Sequence, residues 1–283
     1  MLSLANVRVV DLSIGVEPGV ASEPWPATIE RFDHRAGAEQ LAGNLREQGY
    51  DVRAEDFPDG IGLAWEEVTA ITHTGTHLDA PWHYGPESGG ERARTIDEVP
   101  LEWCCGDAVV LDVTHLEPGD EIAPEDVDAA LADLDVDLSP GDIVLLRTGA
   151  DALWGTPEYL TEFPGMGADA TRQLVERGAR VIGTDAYGFD KPFAEMGRRY
   201  EETGDADELW PAHFAGRERE YCQIEKMANL DALPRDRKVP LVTAPVKIEG
   251  ASAGWVRPVA LLEGDGADGE GGRKAASGRG VDA

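Results

Sequence analysis

His73-Thr74-Gly75-Thr76-His77-Leu78-Asp79-Ala80-Pro81-Trp82-His83 brings together three of the chain's six histidines and one carboxylate. Neutral imidazoles and an ionised carboxylate form the ligand set of a divalent first-row metal at neutral pH. Two histidines four apart also mark the helical zinc motif of metalloproteases, but that motif needs a glutamate between them on one helix face. Here Thr74, Gly75 and Thr76 stand there instead, all poor in a helix interior. The stretch therefore reads as extended or looped backbone. In a strand, residues 73, 77, 79 and 83 share one side, yet positions four apart lie roughly 13 Å apart when fully extended. Two ligands of one ion cannot be so distant, so the backbone is expected to bend at Gly75, where glycine permits unusual φ. His73 and His77 then meet, Asp79 follows, and Pro81 stiffens a loop that presents Trp82 and His83. The candidate metal ligands are His73, His77 and Asp79. His83, set apart by Pro81 and Trp82, is the candidate proton shuttle.

This motif resembles the signature of the cyclase-like metal-dependent hydrolases, the family of bacterial kynurenine formamidase and isatin hydrolase. The likeness extends to Asp11-Leu12-Ser13, Pro24-Trp25-Pro26 and Gly183-Thr184-Asp185. It continues through His213, Glu225-Lys226-Met227-Ala228-Asn229-Leu230, Pro245-Val246-Lys247-Ile248 and Ala253-Gly254-Trp255. The resemblance implies a swivelling β/β/α fold, a homodimer, and Trp25 as a wall of the substrate pocket. It also implies that His213 and Glu225 are either a second pair of metal ligands or a substrate-facing side. Gln223, two before Glu225, can face the same side of a strand and offer an amide oxygen. Together with the Pro245-to-Trp255 stretch it favours one ion, zinc or manganese, over two. Glu225 is the second candidate for proton transfer.

The 283 residues are 42% hydrophobic, enough for a substantial core. No apolar run approaches a membrane span, and Met1 to Val10 lack the pattern of a secretory signal. Cys104, Cys105 and Cys222 make no disulfide framework, which fits a reducing, cytoplasmic setting. With 55 acidic against 25 basic residues the net charge is −30, which disfavours nucleic acid and anionic membranes as partners.

Along the chain, Val7 to Leu12 reads as a strand, Ala38 to Gln48 as a short amphipathic helix, and Ile61 to Thr72 as a strand carrying a buried Trp65. A loop over 84–100 contains a weak helix start at Thr95. Asp107 to Val113 and Gly141 to Thr148 are buried strands, and Pro124 to Leu134 is a helix with proline in its first turn. The helix Ala168 to Arg177 leads into Val181–Asp185, giving a strand–helix–strand unit. Asp185 reads as a turn acid capping loop amides more readily than as a site residue, and His115 is left outside the site. Tyr187 to Leu209 reads as an acidic, loop-rich surface excursion. The segment from His213 through Glu225 is strand or turn, with a helix open, and Val239 to Ile248 and Trp255 to Leu262 close the sheet. Residues 1–263 form one α/β domain with a mixed, curved sheet and outer helices, and 264–283 form a disordered, Gly-rich acidic tail.

The chemistry these features support is hydrolysis of a C–N bond in a small, aromatic amide, formamide or lactam by metal-activated water. No Gly-x-Ser-x-Gly elbow is present, and Cys104-Cys105 has no neighbouring histidine in sequence, so covalent catalysis has little support. A metal-dependent dehydratase or lyase would use the same site. A non-catalytic metal-binding protein would need the ligands without an apolar pocket, against which Trp25, Trp65 and Trp82 count.

The charge also points to a halophilic source, because salt near 1 M shortens the screening length to about 3 Å and quenches self-repulsion. Thermal unfolding followed by circular dichroism is expected to show loss of structure on desalting. Equal stability in dilute buffer would contradict this.

Overall fold

Runs such as Ile143-Val-Leu-Leu-Arg147 are apolar on both faces, which only a strand covered on both sides can satisfy. In the computed structural model, which describes residues 6–134 and 136–264, such runs lie at the centre of a nine-stranded sheet. Its strands are β1 (Val7–Asp11), β2 (His77–Asp79), β3 (Cys105–Asp112), β4 (Ile143–Arg147) and β5 (Val181–Thr184), followed by β6 (Cys222–Glu225), β7 (Val239–Val242), β8 (Ala253–Trp255) and β9 (Val259–Glu263). The spatial order is β1-β9-β7-β3-β4-β5-β6-β2-β8. The central β3-β4-β5-β6 are parallel, and the flanking pairs are antiparallel. This is the mixed sheet of an α/β domain.

Alternate residues of the strands enter two cores. Val109, Leu111, Val144, Leu146 and Ile182 pack with Val127 and Leu174, which belong to the helices α3 (Pro124–Leu134) and α4 (Ala168–Glu176). Val110, Leu145, Val181 and Ile224 point the other way and share a core with Val10 and Leu262 from one end of the sheet and Leu78 from the other. Strands so far apart in the order can meet only because the sheet curls, as the right-handed twist of strands favours.

Several elements differ from their sequence reading. Helix α1 spans His34–Glu47, beginning before Ala38 because the Asp33 side chain accepts hydrogen bonds from the amides of Arg35 and Ala36. The strand expected over Ile61–Thr72 is only Trp65–Thr69. It pairs with Thr28–Phe32 in a separate antiparallel ribbon, where Trp65 stacks on Phe32 with ring centroids 3.9 Å apart. Trp65 is thus half-buried ribbon packing rather than core filler. The excursion at Tyr187–Leu209 contains helix α5 (Phe193–Thr203), ended by Gly204 in the left-handed region at φ +68°. The strand from Val239 stops at Val242, and the one from Trp255 is two strands interrupted before Val259 by Arg257-Pro258. Asp185 behaves as a capping acid: it accepts from the amides of Thr148 and Gly149 and from the Thr148 hydroxyl. Of the expected tail, only Gly264 lies among the described residues, and its amide donates to Asn6 O.

Candidate metal centre

The site forms at the end of the sheet where β2 pairs with β6. Gly75 adopts φ +66°, and the bend brings the His73 and His77 rings to 4.9 Å between centroids, as the spacing argument requires. Side chains from distant segments fix the bend. The Gly75 amide donates to Glu23 Oε1 at 2.8 Å, and Lys226 Nζ donates to His73 O at 2.9 Å. The Thr76 hydroxyl accepts from the Ile14 amide at 2.9 Å and donates to Lys226 O at 2.5 Å.

Antiparallel register then sets which side chains meet. His77 lies opposite Glu225 and Asp79 opposite Gln223, so all four project from one face of the sheet. His77 Nδ1 lies 2.8 Å from Gly75 O. A carbonyl can only accept, so Nδ1 carries the proton and Nε2 presents a lone pair. That Nε2 is 3.3 Å from Asp79 Oδ1 and 3.6 Å from Glu225 Oε2. His73 Nδ1 lies 2.9 Å from the same Asp79 oxygen, while its Nε2 is 3.2 Å from Ser252 Oγ.

His83 sits differently from its expected loop position. Pro81–Tyr84 is a single helical turn, α2, and this reversal swings the imidazole back until Nε2 is 4.0 Å from Asp79 Oδ2. Its ring centroid is 4.3 Å from that of His73. The separation inferred from Pro81 and Trp82 is therefore absent, since a proline in a first helical turn favours the reversal. His213 comes from the short helix α6 (Pro211–Ala215), and its Nε2 is 4.0 Å from Asp79 Oδ2 and 3.8 Å from Glu225 Oε1. Its Nδ1 is hydrogen-bonded to the Asp190 carboxylate, which also accepts from the Ala212 amide at 2.6 Å. A carboxylate that orients a histidine in this way is the usual outer support of a metal-ligating imidazole.

The potential ligands form two compact triads, His73–Asp79–His83 and His77–Asp79–Glu225, with Asp79 in both. His77 Nε2 and both Asp79 oxygens are buried without a hydrogen-bond partner; His73 Nδ1 approaches Oδ1 without a directed bond. An unpaired carboxylate out of water costs several kcal/mol. A divalent cation suits this set of nitrogen and oxygen donors and would satisfy the orphaned atoms. Gln223 Oε1 is also buried and unpartnered, its Nε2 donating to the Tyr221 hydroxyl at 2.5 Å.

The electrostatics differentiate the members. Burial alone would raise the Asp79 pKa, but His83, His77 and His73 together hold it well below the usual carboxylate range. Glu225 is raised, by burial and then by Asp79. Burial, reinforced by His213, His73 and His77 and partly opposed by Asp79, lowers His83 to about 4. Burial also works to lower His213, yet Asp190 outweighs it and raises the pKa to about 9.

Beside the triads opens a cavity of about 510 Å³ whose wall includes Trp25, Phe163, Tyr187, Phe193 and Trp210, with His73, His83, His213 and Glu225 on its floor. Trp25 is thus part of the pocket, whereas Trp65 and Trp82 do not line it. Sequence reasoning missed Glu23, Asp190 and Lys226. Lys226 follows Glu225 within the run that carries the family resemblance, and those were its signals; Glu23 and Asp190 reach the site through tertiary folding alone.

Residues 10–191 match the family model Cyclase, described as "Putative cyclase". The kynurenine formamidase of Maricaulis maris (strain MCS10) is 30% identical over 192 residues, covering 68% of this chain and 78% of the relative. The isatin hydrolase of Roseibium aggregatum is 26% identical over 223 residues, 72% of this chain and 77% of that one. A crystal structure of an isatin hydrolase bound to the product analogue thioisatinate superposes with a TM-score of 0.69 at 22% identity. It covers 91% of this chain and 93% of its own, a likeness of fold.

A Cβ on residue 75 would meet Val16 Cγ2 at 3.2 Å in a left-handed backbone. Gly75→Ala is therefore expected to cost about 1–2 kcal/mol of folding stability, read as a lower urea midpoint. A midpoint equal to wild type would show that this bend does not depend on glycine.

Proposed function

The chain belongs to the Cyclase family, and on that premise we propose that it is a metal-dependent amidohydrolase opening a C–N bond in a small aromatic amide, formamide or lactam. The observation that carries this reading is Asp79, buried with neither oxygen hydrogen-bonded and surrounded by histidines, of which His73, His83 and His213 line an aromatic-walled cavity. His73, His77 and Asp79 would hold the ion, zinc or manganese, both of which accept nitrogen and oxygen ligands. Gln223, whose Oε1 is buried and unpartnered two residues before Glu225, supports one ion over two. When bound, such an ion supplies a water of lowered pKa and a Lewis acid for a carbonyl oxygen.

The chain's own residues do the rest. His83, neutral at physiological pH, offers Nε2 to take a proton and pass it to a leaving nitrogen. Glu225, its pKa raised, can hold a proton on the opposite side of Asp79. Asp190 fixes the ring of His213, and Gln223 Oε1 remains as an acceptor. Trp25 and Trp210, both in the cavity wall, give a flat substrate apolar surface to pack against.

A dehydratase or lyase would polarise a carbonyl with the same groups but would yield a product without added water. A sequestering protein has no use for a cavity of this size and lining. No helix among the described residues is long and apolar enough to cross a membrane. The free cysteines and the charge further support a cytoplasmic enzyme, and we take its partners to be small-molecule substrates and a second copy of the chain.

Metal-loaded protein incubated with formanilide and with an aromatic lactam is expected to give products heavier by one water or, for formanilide, aniline and formate. Products without that water would overturn the hydrolase reading. His73→Ala, His77→Ala and Asp79→Ala should each lose metal and turnover together. His83→Ala should lose on the order of 10²-fold to 10⁴-fold in rate at unchanged metal content. Should His83→Ala arrive metal-free, the His73–Asp79–His83 triad holds the ion and the shuttle assignment fails.

A further inference from the structure

Two lysines stand in the cavity wall, and glutamates hold both. Lys226 is buried, and its Nζ donates to Glu23 Oε1 and Oε2, each at 2.8 Å, and to His73 O at 2.9 Å. An ammonium has three hydrogens, so this set uses all of them. Glu23 is itself buried, and its bond from the Gly75 amide fixes it to the histidine-bearing bend. Lys191 Nζ lies 2.9 Å from Glu121 Oε2 and 3.7 Å from Glu208 Oε2. Of the other acids in the wall, Asp190 is engaged by His213 and Glu225 belongs to the site floor. A carboxylate carried into this cavity, away from the metal centre, would meet aromatic rings and neutralised lysines. It would give up its hydration without gaining a free cation, a loss that pairing would otherwise offset.

Resting on the amidohydrolase reading, we propose that Glu23 is a specificity-determining residue. By neutralising Lys226 it fits the pocket to uncharged aromatic amides and turns away those carrying a carboxylate remote from the scissile bond. The pair therefore does two things at once. It holds the bend that carries His73 and His77, and it sets the charge that the substrate's distal end can have.

The test compares 4-formamidophenylacetate with its methyl ester, two probes of similar size that differ in charge. Binding to the metal-loaded protein is read by quenching of tryptophan fluorescence, to which Trp25 and Trp210 in the wall contribute, and turnover by release of the aromatic amine. Wild type is expected to bind the ester at least tenfold more tightly, with the difference in kcat/KM appearing in KM. Glu23→Gln keeps an oxygen for the Gly75 amide but frees Lys226 of its counter-charge, and should reduce the ester-to-carboxylate ratio about tenfold or more. Lys226→Met leaves Glu23 as an unpaired anion and should move the ratio the other way. A general loosening of the fold would weaken both probes together, so opposite movements of the ratio separate specificity from structure. Equal binding of both probes by wild type, or a ratio that neither variant shifts, overturns the proposal. If wild type binds the probes but releases no amine from either, the amidohydrolase reading fails, while the binding ratios still decide the role of Glu23.

Discussion

A carboxylate taken out of water with neither oxygen hydrogen-bonded is among the costlier things a fold can contain, and Asp79 is in that state. Four imidazoles surround it, from His73, His77, His83 and His213. Three of them, His83, His77 and His73, hold its pKa well below the usual carboxylate range against the effect of burial. Much of the local architecture serves this arrangement. The Gly75 bend, the helical turn at Pro81 and the Asp190 support of His213 each deliver one or two of those rings to the same carboxylate. An arrangement that concentrates lone pairs around a buried anion is unfavourable by itself and favourable once a divalent cation is shared among them.

The sheet makes the arrangement possible by register. Antiparallel pairing of β2 with β6 sets His77 against Glu225 and Asp79 against Gln223, and a slip of β2 by one residue would turn Leu78 toward the site and His77 and Asp79 into the core. Leu78 and Ile224 are fully buried in the opposite core, so the hydrophobic effect enforces the register that the chemistry needs. The same coupling appears at Lys226, whose backbone is left-handed at φ +58°. There the chain leaves β6, and the lysine side chain ties Glu23 to the carbonyl of His73.

What the sequence revealed and what it hid follow from the range of the interactions. The bend at Gly75 was legible because two ligands four apart on an extended chain cannot share an ion, and only glycine relieves that conflict locally. The parallel strands β3, β4 and β5 and helix α4 were legible from apolar runs and periodicity, whereas β6, with its polar Gln223 and Glu225, stayed open between strand, turn and helix. The position of His83 was not, because a four-residue turn beginning at Pro81 leaves no periodic signal, and proline suits a loop equally well. Trp65 looked like core because Val68 and Ile71 follow it as apolar positions, yet Glu66 and Glu67 leave the ribbon open to solvent. Helix α5 was obscured by its charges, although Phe193, Met196 and Tyr200 keep helical spacing and Met196 alone of them is buried. Asp190 and Glu23 carry no local mark at all, since their roles exist only after Phe189 has met Glu225 and Ser22 has met Gly155.

The most direct test is anomalous X-ray scattering from crystals grown with zinc and, separately, with manganese, recorded on either side of each absorption edge. The account predicts an anomalous peak about 2.0–2.2 Å from a carboxylate oxygen of Asp79, with His73 and His77 nitrogens among its neighbours. A metal peak elsewhere in the chain, or an Asp79 that finds its partners in water with no ion beside it, would contradict it.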